Sequence, residues 1–103
     1  MAGYLVACVR WHDPEAIERY GTIVVESLRP YQGKYLARGP VSATMEGEHA
    51  PQRLAIVEFP TAELARQWFT CDAYLPARKI REQSATTYWV VIIDGVQHHR
   101  EAS

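Results

Sequence analysis

Cysteine is scarce: Cys8 and Cys71 are the only two in the chain, and no CxxC or Cys/His cluster accompanies them. That removes the usual framework for a structural zinc site. HExxH and histidine pairs at i, i+4 are missing as well, so no metal is expected. Neither GxGxxG nor a Walker A loop occurs, which argues against nucleotide-driven chemistry. Basic residues (11) and acidic residues (12) are mixed along the chain and leave a formal net charge of −1. With no stripe of cations to neutralise phosphates, nucleic acid is not an expected partner, and neither is an anionic membrane surface. No apolar run approaches the length of a membrane span. The opening "MAGYLVACVRWHDPE" lacks a positively charged segment before its short apolar stretch, which reads as a strand and not as a signal peptide. The expectation is a cytoplasmic protein whose two thiols are free.

What is present is an ordinary globular composition, 48% hydrophobic and 22% charged over 103 residues, enough for one core. Residues 1–95 read as a single domain and 96–103 as a polar tail. "GYLVACVRW" (3–11) has strand composition. Asp13 is a good helix cap, Pro14 suits the first helical position and Glu15 complements the helix dipole. Ile17, Tyr20, Val24 and Leu28 then form one apolar stripe, although Gly21 and the β-branched run 22–25 weaken the helix. Pro30 and Gly33 end it. "GKYLARG" (33–39) is a second strand, broken at Gly39-Pro40, and "VSATMEG" (41–47) can continue it after a kink. "RLAIVEF" (53–59) is the strongest strand. Thr61 caps a helix with an apolar face of Leu64, Ala65, Trp68 and Phe69. A further helix carries Tyr74, Leu75, Ile80 and Ser84, and "TTYWVVIID" (86–94) is the last strand.

Strand, helix, strand, strand, helix, strand is the ferredoxin-like α+β arrangement, a four-stranded antiparallel sheet with helices on one face. Yet the strands are apolar on both faces. Leu54 and Ile56 alternate with Ala55, Val57 and Phe59; Tyr88, Val90 and Ile92 alternate with Trp89, Val91 and Ile93. A solvated face would read polar. A second copy of the chain is the simplest cover, so a homodimer packed sheet to sheet is expected.

"DPEAIERY" (13–20), "GKYLARGP" (33–40), "EGEHAPQRLAIVEFPTAELARQWF" (46–69) and "YLPARKIREQSA" (74–85) run in one order along nearly the whole chain. Together they resemble the domain of unknown function 1330 within the dimeric α+β barrel superfamily. That resemblance implies a ferredoxin-like protomer that pairs into a barrel. The superfamily it points to includes cofactor-independent monooxygenases, haem-degrading enzymes and lactone isomerases, so the fold alone selects none of these chemistries.

Two charges interrupt apolar strands: Arg38 in "YLARGP" and Glu58 in "RLAIVEFP". Both are expected to be at least partly buried, where a charge needs a partner. Either they form a structural ion pair or reach water at strand ends, or Arg38 binds an anionic oxygen while Glu58 orients it or takes a proton. Arg53 and Arg81 could bind an anion too, although solvation is the usual fate of an arginine. Tyr4, Tyr35, Trp68, Tyr74, Tyr88 and Trp89 lie on elements that should meet around the sheet, as core or as the lining of a cleft with polar anchors. Glu46 and Gly47 read as a turn. His12 reads as a turn residue or a base; His49, His98 and His99 lie in polar segments. Cys71 precedes a helix start, where a thiolate would be stabilised, or simply fills a capping position. The chemistry expected is a small cofactor-independent enzyme, oxygenase or isomerase in type, acting on a hydrophobic or aromatic weak acid. The rival is a non-catalytic dimer that binds a small molecule or a protein; a haem- or flavin-associated role is a third possibility.

Overall fold

The computed structural model describes residues 1–48 and 52–96; the candidate histidines 49, 98 and 99 and the tail from residue 97 lie outside the described residues. The elements run β1 (Gly3–Trp11), α1 (Pro14–Leu28), a 3₁₀ turn (Arg29–Tyr31), β2 (Lys34–Pro40), β3 (Arg53–Phe59), α2 (Ala62–Phe69), α3 (Leu75–Ser84) and β4 (Ala85–Asp94). The sheet order is β2-β3-β1-β4 and every pairing is antiparallel. The fold is therefore the ferredoxin-like α+β arrangement that the element order implied.

The caps act as their residue types suggest. The Asp13 carboxylate accepts from the Glu15 N–H at 3.1 Å, and Thr61 Oγ1 accepts from the Leu64 N–H at 3.1 Å. Each satisfies one of the donors that a helix start leaves open. Gly3 begins β1 directly beneath the start of α2. A Cβ there would lie 2.3 Å from the Ala62 nitrogen and 2.4 Å from its Cα. Backbone cannot retreat cheaply, so Gly3→Ala is expected to lower the unfolding free energy by about 3 kcal/mol. A urea midpoint unchanged from wild type would contradict that close approach.

Leu5, Val57 and Phe59 from the sheet meet Val24 and Leu28 of α1, Ala65 and Trp68 of α2, and Tyr74 and Ala77 around α3 in one buried cluster. The α1 stripe is buried only in its second half: Val24 and Leu28 are covered, whereas Ile17 and Tyr20 are half-exposed. Helix α3 departs from expectation. Its covered positions are Ala77 and Arg81, while Leu75 is exposed. Tyr74, at the α3 N-cap, is the aromatic that enters the core.

Two other expectations need correction. Residues 41–47 do not continue β2: the Val41 N–H donates to the Gln52 carbonyl, but no strand forms over this segment. Gly39 adopts φ +149°, and Pro40 has no N–H to donate, so the strand stops there. Strict alternation also fails in β4. Cys8 pairs with Trp89 but Val9 pairs with Thr87, leaving Tyr88 as an extra, exposed residue outside the Val90–Ile92 face. A similar irregularity in β2 skips Leu36.

The helix-free face is as apolar as the sequence suggested. Trp89, Val91 and Ile93 of β4 are exposed beside Val6 of β1, with Ile56 of β3 beyond it.

Candidate functional site

Between α1 and the sheet, beneath the half-exposed start of the helical stripe, lies a cavity of about 530 Å³. Leu5, Ala7, Val9, Val57 and Val90 floor it from the sheet, and Ile17, Tyr20 and Gly21 roof it from α1. A chain of rings forms one wall. Trp68 lies 4.1 Å from Tyr74, centroid to centroid, and Tyr74 meets Tyr20 edge-on at 6.3 Å; Trp11 lies 5.1 Å beyond Tyr20. Trp68 is fixed by its indole N–H, which donates to Ser27 Oγ at 2.9 Å.

Six of the residues expected to form a site come together here: Tyr35, Arg38, Arg53, Trp68, Tyr74 and Arg81. Arg38 is exposed, not buried as its apolar neighbours suggested, because β2 is an edge strand. Its guanidinium lies over the Tyr35 ring at 4.5 Å, and a side chain at Gly21 would meet it at 3.6 Å. Burial raises the Tyr35 phenol above its usual range although Arg38 beside it works the other way.

Arg81 is the reverse case: expected to be solvated, it is 5% exposed. One guanidinium nitrogen, Nη1, donates to Thr87 Oγ1, while Nε is buried and has no hydrogen-bond partner. Burial disfavours its charge, but the adjoining Tyr74 and Tyr20 together outweigh that and raise its already high pKa. The two tyrosine hydroxyls lie 2.9 Å apart, sharing one hydrogen bond. Burial, followed by the neighbouring Tyr74, holds the Tyr20 phenol far above its usual range, so it stays neutral and can donate.

Tyr4, Glu58 and Tyr88 are not in the cavity. Glu58 pairs in register with Lys34 and Tyr4, whereas Arg38 pairs with Ala55. Alternation of side chains therefore puts Glu58 and Arg38 on opposite faces, and the ion pair considered for them does not form. Glu58 instead accepts from Tyr4 Oη at 3.0 Å and pairs with Lys34 Nζ at 3.2 Å. Those two neighbours hold its carboxyl below the usual range. Sequence reasoning did not select Tyr20 as a site residue. Its place in the α1 stripe marked it as core, and only Gly21 beside it hinted that this turn is thinly packed.

His12 Nε2 lies 2.7 Å from Thr86 Oγ1 at the surface, a contact suited to a turn residue. Cys71 is a free, half-buried thiol, and Cys8 is a free, buried one. Among the described residues no helix is long and apolar enough to cross a membrane.

No curated protein matches the chain. Several solved structures share its fold at low identity. RPA0582 of Rhodopseudomonas palustris, a protein of unknown function, is 18% identical, with a TM-score of 0.71 over 94% of this chain and 84% of its own. SnoaB, a cofactor-independent oxygenase from Streptomyces nogalater, is 12% identical, with a TM-score of 0.67 over 96% of this chain and 97% of its own. A dimeric ferredoxin-like protein of unknown function from Jannaschia sp. CCS1 is 13% identical, with a TM-score of 0.66 over 89% of this chain and 99% of its own. Such distant likenesses carry the fold and nothing of the chemistry. The sequence itself matches the model of the domain of unknown function DUF1330 over residues 2–96, and the chain belongs to that family.

Proposed function

We propose that the protein is a homodimeric, cofactor-independent enzyme acting on a small hydrophobic or aromatic weak acid held between α1 and the sheet. The observation that carries this reading is the composition of the cavity wall: an apolar floor, a row of rings, and three arginines among its lining residues. None of Arg38, Arg53 and Arg81 forms an ion pair with a carboxylate among the described residues. An apolar, cationic cleft favours a flat molecule that carries or develops negative charge on oxygen. In this reading Arg38 holds the oxygen whose charge grows, the neutral tyrosines handle the proton, and the rings exclude water. Glu58, on the other face, has no part in it. SnoaB, a cofactor-independent oxygenase of the same fold, makes oxygenation of a stabilised carbanion the first reaction to try.

The test pairs binding with turnover. Purified protein is titrated with naphthols and naphthalenediols, and oxygen uptake and product formation are followed without added metal, haem or flavin. Turnover is expected, and Arg38→Ala should lower it by about a hundredfold, as loss of one oxyanion donor commonly does. Gly21→Leu should abolish it by filling the cavity from the α1 side. A compound that binds but is recovered unaltered after long incubation would favour the second reading, a dimer that binds small molecules without converting them. That alternative draws on one feature: the carboxylates lining the cavity are Glu18 and Glu26, and neither forms a hydrogen bond or ion pair with a tyrosine or arginine lining it among the described residues. No binding by any member of the panel would remove both.

The dimer half of the proposal rests on the exposed apolar face of the sheet and on the dimeric relative of the same fold.

A further inference from the structure

Hydrogen-bonding capacity at the inner end of the cavity does not balance. Tyr20 and Tyr74 together hold two hydroxyl protons, and their mutual bond at 2.9 Å uses one. No acceptor among the described residues takes the other. Arg81 carries five N–H groups; its guanidinium is hydrogen-bonded to Thr87, Tyr74 and Tyr20, whose oxygens accept, but the buried Nε–H meets nothing. No carboxylate among the described residues pairs with it. All three side chains line the same cavity. A buried guanidinium without an anion is costly, and a buried donor without an acceptor costs a further increment. Every unmet group in this corner is a donor, so what it lacks is an acceptor bearing negative charge.

We infer that the corner formed by Tyr20, Tyr74 and Arg81 is a carboxylate seat, and that the natural ligand is an aromatic or hydrophobic carboxylic acid whose head group enters first. This rests on the cavity being the ligand site, as proposed above, and adds the substrate class. A carboxylate offers two oxygens: one takes the guanidinium edge, the other takes the spare tyrosine hydroxyl. Arg38 is unsuited to this task, because it is exposed at the mouth and already stacked on Tyr35. Its place is over the far end of the ligand.

The experiment compares 2-naphthoate with its methyl ester, titrated calorimetrically into the intact protein. The pair shares ring and size and differs in the charge on one oxygen. Wild type is expected to bind the acid at least about tenfold more tightly than the ester, in line with one charge-assisted hydrogen bond. Arg81→Met should erase the preference, and Arg38→Met should keep it. Should Arg81→Met fail to fold, Tyr20→Phe serves instead, weakening the acid by about tenfold and leaving the ester unchanged. Equal binding of acid and ester by wild type, or a preference lost in Arg38→Met and kept when the corner is altered, overturns the seat while leaving the cavity as the ligand site. Absence of any binding, by naphthoate, ester and naphthols alike, overturns the cavity reading and the seat together.

Discussion

Trp68→Ala is expected to lower the unfolding free energy by about 3–5 kcal/mol, a large part of the total for a domain of this size. Trp68 is 2% exposed and touches three rings, with Phe59 at 5.7 Å, Tyr74 at 4.1 Å and Phe69 at 6.4 Å. Its removal empties the place where α2, α3 and the sheet converge. The lost indole N–H also leaves Ser27 Oγ, itself 3% exposed as a residue, with only its own bond to the Val24 carbonyl. Trp68→Phe separates these contributions: it keeps most of the ring and loses the bond, and should cost about 1–2 kcal/mol. Chemical denaturation followed by circular dichroism reads both. A loss below about 1 kcal/mol for Trp68→Ala would mean that the aromatic row is not the centre of the core.

That row explains why the fold was legible and the site less so. Strand and helix order came from local signals that act at short range: Asp13 and Thr61 as caps, Pro14 at a helix start, Gly39-Pro40 at a strand end. Each is obeyed because its chemistry involves neighbours in the chain. Departures arise where one extra residue resets the alternation, as at Tyr88, where a bulge turns the tyrosine away from Val90 and Ile92. A bulge has no reliable mark in composition, and every face assignment beyond it shifts by one.

Arginine exposure was hard to read for a related reason. Arg38 sits in an apolar run and Arg81 in a polar one, "ARKIREQS", so neighbours in sequence suggest the opposite of what packing produces. Edge position exposes Arg38, whereas α3 turns Arg81 inward beside Ala77, one helical turn earlier. The arginine and tyrosine residue types were informative. Their depth was not, because depth depends on which helix face meets the sheet, and in α3 the small residue Ala77 sets that face where Leu75 seemed the better candidate.

Converting Val91 and Ile93 together to lysine is expected to weaken self-association by at least about a thousandfold while leaving the protomer folded. The two side chains are 43% and 54% exposed, so within one protomer their replacement disturbs little packing. Val91 lies opposite Val6 and Ile93 opposite Tyr4, which places both charges on the helix-free face, on the edge strand β4 beside β1. A stable interface of common size hides about 800 Å² per partner. Burying four unpaired ammonium groups in such an interface, two from each copy, costs several kcal/mol per ion, and about 4 kcal/mol already amounts to a thousandfold. The neighbouring Lys34–Glu58–Tyr4 cluster is self-satisfied, so it can accompany the apolar residues without an unpaired charge. Sedimentation velocity at micromolar concentration should therefore give a dimer for wild type and a monomer for the variant, with similar circular dichroism. A wild-type monomer, or a variant that still pairs, would mean that something other than a second copy covers this face.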